Sequence, residues 1–255
     1  MSQQARTAIF IIGAAALGLL LAWGFAGLDP FGEYPGPYGD VLVSVAPGER
    51  QVDNVVTAIN FDYRGIDTLG EEFILFASVG GTLLLLRQDM QEHDRPRKEG
   101  VPGRQIPVRS EAIQAWGIAL LACIFVFGVY IVLHGQLSPG GGFQGGVVLA
   151  TVPLHLFLSG GYRIFRPLTP ETLVEIGESA GAGAYVLIGL GGMLAGAAFL
   201  QNVLPLGERG SLLSSGTIMV INAAVGLEVS AGFVLLLSAF LRQLIRLRES
   251  ENESQ

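Results

Sequence analysis

The chain has 255 residues, half of them hydrophobic, only 15% charged, 36 of them glycine, with a mean hydropathy of +0.51. A soluble domain carries about 25% charged residues and about 7% glycine, so the composition points to lipid and away from a water-soluble globule. The net charge of −7 gives no footprint for nucleic acid, and one cysteine, Cys123, makes neither a disulfide framework nor a zinc site.

Six apolar runs are long enough to cross a hydrocarbon core of about 30 Å, at 7–28, 69–86, 112–133, 142–159, 180–200 and 216–241. The fold class expected is therefore an all-α membrane protein of about six transmembrane helices. The first run is too long for the apolar part of a secretory signal and is read as a retained helix. Next, Val52, Val55, Val56 and Ile59 recur at one-face helical spacing. This predicts a short amphipathic helix over 53–61, on the outer surface or docked against a partner.

The stretch from Asp62 to Glu72 leads into the second run. Thr68 and Glu71 have capping-box spacing, with Thr68 as N-cap. Asp62, Arg64, Asp67, Glu71 and Glu72 are expected to form a charged cluster at the membrane surface, able to gate cations or dock a neighbouring subunit. After this run come Arg87, Arg95, Arg97, Lys98, Arg104 and Arg109. Arg163 and Arg166 follow the fourth run, and Arg242, Arg246 and Arg248 follow the sixth. The alternate segments are poor in cations, so both termini are placed in the cytoplasm.

Between the third and fourth runs lies His134-Gly-Gln-Leu-Ser followed by Pro139, Gly140, Gly141, Gly142, Phe143, Gln144, Gly145 and Gly146. Proline followed by three glycines breaks a helix, and irregular backbone at membrane depth survives only against protein or a wet cavity. A structural turn that is buried against another helix or lines an aqueous cleft is expected. The fifth run is rich in glycine and offers a packing face. Glu178 stands just before it, where it complements the helix dipole or admits protons.

Glu228 stands near the middle of the sixth run, flanked at helical spacing by Ala224, Ala231 and Gly232. An ionisable group at the bilayer centre faces the bundle interior and by default is functional. The alternative is a protonated glutamate hydrogen-bonded across a helix interface. Histidine is the side chain suited to proton relay near neutral pH, so His155 and His134 are relay candidates, but they fall on opposite sides of the membrane. Glu228, His155, Glu178, His134 and Asn222 make up the candidate proton or cation path. No catalytic constellation, metal-ligand cluster or cofactor fingerprint stands out.

From His134 onward the chain resembles the MnhB domain, the B-type member of the Mrp-type multisubunit Na+/H+ antiporters. The residues concerned are Pro139 to Gly146, Phe199 to Gly207, Ser215 to Thr217 and Asn222 to Gly232. Upstream, Val55 to Leu86 is similar to the C-terminal part of the large A-type antiporter component, which in membrane-bound hydrogenases is a separate E-like subunit. The resemblance implies a two-helix E-like module over 1–100 and a four-helix MnhB-like domain over 101–255. It also implies an accessory, non-enzymatic subunit of a complex in the plasma membrane of a prokaryote. Its partners would be other subunits and membrane lipids, with Na+ and H+ as the transported ions. A module of a redox-driven, hydrogenase-like complex remains the alternative. A self-contained transporter is disfavoured, because such folds pair discontinuous helices in repeated halves.

Overall fold

The structure is a computed structural model that describes residues 3–28, 32, 37–92 and 111–253. Most basic residues expected after the second span, Arg95 to Arg109, lie outside the described residues. Among the described residues, nine helices run in chain order: α1 Gln3–Ala26, α2 Tyr38–Arg50, α3 Val55–Ala58, α4 Gly65–Glu92, α5 Glu111–Leu133, α6 Gly142–Gly160, α7 Tyr162–Leu168, α8 Glu171–Leu194 and α9 Thr217–Glu253. A π-helical turn, Ile59–Tyr63, precedes α4. No strand occurs among the described residues.

Six helices are long and apolar enough to cross a membrane: Gln4–Ala26, Gly65–Leu86, Gln114–Leu133, Gly142–Gly160, Glu171–Leu194 and Thr217–Arg242. The count matches the hydropathy reading. The fifth span starts nine residues earlier than expected and stops earlier too, so Glu178 lies inside α8 rather than before it. Its early turns hold Glu171, Glu175 and Glu178, whose charge lowers the apparent hydropathy of a segment that is nevertheless helical.

The chain forms two compact units, Met1–Val41 and Leu42–Gln255. The first contains α1, which buries none of its span within the unit. In the second, α9 is the central helix and packs on α4, α5, α6 and α8. Over half of its span is buried, against 28% or less for every other span, so its side chains make the core. Ile218, Ile221, Val225 and Val229 from α9 meet Tyr185 of α8, Leu69 of α4, and Val52, Ala58 and Phe61 from the segment before α4.

Helices approach closely where side chains vanish. A Cβ on Gly181 of α8 would lie 2.6 Å from the Glu228 amide nitrogen and 2.7 Å from the Ala224 carbonyl oxygen. On α6, Gly142 and Gly146 lie against α9, while Gly145 lies against α5 at Val132. Cys123 is exposed on α5.

The amphipathic segment departs from expectation. Its buried face is Val52, Thr57, Ala58 and Phe61, whereas Val56 is 62% exposed. Helix α3 lasts one turn before the π-turn shifts the phase, and the segment docks on its own chain. Asn54 donates from Nδ2 to the carbonyls of Gly135 (2.8 Å) and Ser138 (3.1 Å). The Thr57 hydroxyl donates to the Gly135 carbonyl at 2.7 Å, and the amides of Asp53 and Asn54 donate to that of Gln136.

Candidate functional site

Three acidic side chains from three helices meet inside the bundle. Glu72 of α4 is 2% exposed, Glu178 of α8 is 6% exposed and Glu228 of α9 is fully buried. Glu228 stands between the other two, its carboxyl facing that of Glu72 and within electrostatic reach of Glu178. Geometry for this comes from small neighbours. Gly181 lets α8 approach the backbone of Glu228, and Gly232, one turn further along α9, leaves room for Oε1 of Glu178.

These oxygens lack a donor. Oε2 of Glu72, Oε1 of Glu178 and both oxygens of Glu228 are buried with no N–H or hydroxyl donor, and the carboxyl groups of Glu72 and Glu228 are placed to hydrogen-bond each other once one of them carries a proton. No described basic residue makes an ion pair with any of the three. Three carboxylates cannot all stay charged and unpaired in so dry a place. The arrangement is chemically complete only with protons, or a cation, held between the carboxyl groups. No His, Cys, Asp or Glu cluster fit for a metal ion occurs among the described residues.

Glu72 therefore does not belong to the surface cluster expected from the sequence. The capping box is not formed either. Helix α4 already begins at Gly65, and the Thr68 hydroxyl donates to the Asn60 carbonyl at 2.8 Å. Glu71, the neighbour of Glu72, points away from the bundle and is exposed.

The remaining members of that cluster separate. Arg64 and Asp67 pair with each other on the surface. Asp62 turns inward, where Arg50 Nε lies 2.7 Å from Oδ2 and Asn202 Nδ2 donates to the same oxygen at 3.2 Å. Arg50 also lies over the Tyr63 ring at 4.9 Å, and the Tyr63 hydroxyl donates to Glu49 at 2.8 Å. Burial, reinforced by that bond, pushes the Tyr63 phenol up to about 12. Arg50, Asn202 and Glu49 escape a reading of the sequence, since each is far along the chain from the residues it contacts.

The glycine-rich turn is ordered by side chains from elsewhere. Gly140 and Gly141 have φ of 149° and 144°, a region that glycine alone enters freely. The first amide of α6, Gly142 N–H, donates to Asn222 Oδ1 of α9 at 2.8 Å, and Asn222 Nδ2 donates back to the Ile218 carbonyl. Asn222 thus caps a helix and does not join the carboxyl cluster. Gln136 is fully buried, with Nε2 donating to the Leu212 carbonyl at 2.8 Å. Pro139 and Gln144 lie on the exposed side of the turn, and Phe143 meets Phe233 edge-on at 6.4 Å.

Neither histidine bonds a carboxylate among the described residues. His134 stacks on Tyr130 with ring centroids 4.0 Å apart, and His155 Nδ1 lies 2.9 Å from the Thr151 carbonyl of its own helix.

Comparison with known proteins agrees with this architecture. Residues 114–235 match the family described as a domain related to the MnhB subunit of Na+/H+ antiporters. The chain thus carries an MnhB-related membrane domain. It is 37% identical over 81 residues to the B-type subunit of the Na+/H+ antiporter of Bacillus subtilis, a match covering 31% of this chain and 54% of that one. It is 29% identical over 232 residues to an uncharacterized protein of Methanocaldococcus jannaschii, covering 80% of this chain and 85% of the relative. Among solved structures, it superposes on a chain of the membrane-bound sulfane sulfur reductase, an archaeal respiratory membrane complex. The TM-score is 0.66 at 30% identity, covering 93% of this chain and 98% of the other. A chain of the Mrp complex from Dietzia sp. DQ12-45-1b shares the fold, with a TM-score of 0.65 at 20% identity. That match covers 94% of this chain and 26% of the longer one. The MnhB-related region thus includes α5 to α8 and most of the α9 span, and contributes two of the three carboxyl groups, Glu178 and Glu228. The third arrives on α4, which precedes it.

Proposed function

We propose that this chain is an accessory membrane subunit of a multisubunit Na+/H+ antiporter, in which Glu72, Glu178 and Glu228 form part of a proton or cation path. One observation supports this above the others: Glu228 is fully buried at mid-span, between two further carboxyl groups, with no donor but a proton shared with Glu72 to satisfy its oxygens. Such a cluster takes up and releases protons, or a small cation, by rearrangement of a few groups, and the subunit needs no enzymatic chemistry of its own. His134 and His155 stand outside it, as entry or exit groups at most. Membrane lipids surround it in the plasma membrane of a prokaryote, with both termini on the cytoplasmic side and the 134–141 turn facing out. Residues 1–100 are an E-like module and 101–255 the MnhB domain, and Glu72 of the first completes the site of the second.

Vesicles containing the whole complex test this reading. Glu228→Gln is expected to abolish Na+-dependent proton flux, and Glu72→Gln to reduce it about tenfold, with assembly intact. Unchanged flux in a fully assembled Glu228→Gln complex rejects the path. The mutual near-full-length match to a subunit of the sulfane sulfur reductase complex favours a second reading, the same module in a redox-driven machine. Purifying the complex and identifying its companions separates the two, since redox subunits accompany only the second.

A further inference from the structure

Glu71 and Glu72 sit side by side on α4, yet only Glu72 faces the bundle. The start of α4 is already deep in the molecule. The Tyr185 hydroxyl donates to the Gly65 carbonyl at 2.8 Å, and Tyr185 lies nine residues before Leu194, the end of α8. Those nine residues span about 13 Å, and Glu71 lies about 9 Å further along α4. Glu71 therefore occupies the same mid-bundle layer as the buried carboxyl groups, on the outer side of its helix.

A carboxylate at that depth cannot face lipid without a large penalty. Ser78 and Thr82 share its helix face, but their hydroxyls are satisfied by the carbonyls of Ile74 and Ser78. The carboxylate alone demands a partner. Among the described residues no candidate span supplies one, because Arg6 and Arg242, both at span ends, are the only Lys or Arg in the six spans. The apolar residues on the Glu71 side are also uncovered, with Ile74 at 68% and Leu85 at 71% exposed. Gly70 and Gly81 flank them with open space where a Cβ would stand, so a second helix can approach closely.

We propose that this outer face of α4 is the docking surface for a transmembrane helix of a companion subunit, and that a Lys or Arg on that helix pairs with Glu71. This rests on the multisubunit reading above. The pair places the neighbour's charge one residue from Glu72, so the interface and the carboxyl cluster share α4.

The test uses the intact complex with Ile74→p-benzoylphenylalanine, irradiated in native membranes. The cross-link is expected on a companion's transmembrane helix, within one turn of a Lys or Arg. Glu71→Lys should lower the companion co-purified with this chain about tenfold, and reversing the mapped basic residue to Glu should restore it. Cross-links only to lipid, only to α1, or to a companion helix without a basic residue overturn the proposal, whether or not the Glu71→Lys chain accumulates. A complex that purifies as this chain alone overturns the multisubunit reading itself, and the two failures are thereby told apart.

Discussion

The 134–141 turn and the middle of the bundle treat buried polar groups in opposite ways. At the turn, Asn54, Thr57 and Asn222 tie their side chains to neighbouring backbone, so a glycine-rich and irregular segment is left stiff. In the middle, three carboxyl groups lie as deeply buried with most of their oxygens unbonded. Satisfied burial specifies structure, whereas unsatisfied burial is retained for something that arrives and leaves. The difference supports the proposed division, in which the turn serves assembly and the mid-bundle cluster serves the ion path.

Substitutions can break this division. The largest effect is expected for Gly142→Leu, because a side chain there meets the Asn222 carbonyl, Val225 and the Gly226 amide. A loss of about 3 kcal/mol should leave little assembled complex, as measured by recovery from detergent. Asn222→Ala should cost about 2 kcal/mol by stranding the Gly142 amide, while flux per assembled complex stays normal. If that flux collapsed with assembly intact, Asn222 would belong to the path and the division would fail. Tyr63→Phe should cost only about 0.5 kcal/mol, since its bond to Glu49 is exposed. It sharpens the comparison through pH. The unfolded phenol releases its proton near 10 and the folded one near 12. Its contribution to stability is complete below pH 10 and is lost as pH rises towards 12. Thermal melts over that range should fall less steeply in the variant.

The spans, the turn and Glu228 are legible because each rests on local signals: hydropathy, a proline beside glycines, and one charge in an apolar run. Glu178 is half legible. Its charge disguises the early turns of α8, although Gly177 and Gly181 around it already mark a packed face. Glu72 is not legible. Two adjacent glutamates differ by about 100° around a helix, and which faces inward depends on the register in which α4 starts. The capping-box spacing of Thr68 and Glu71 suggests a start four residues too late. Asn222 sits beside Glu228 in sequence and is easily grouped with it, but six residues of helix separate their depths by about 9 Å.

That register is set by the π-helical turn Ile59–Tyr63, which accommodates an extra residue between the docked α3 and the anchored Gly65. Winding the same residues as an ordinary α-helical turn would push the extra residue into α4 and advance that helix by about 100° about its axis. Glu71 would swing towards the interior and Glu72 away from it. A single widened turn thus works as an indexing device, deciding which of two identical side chains serves the inside of the subunit and which its boundary.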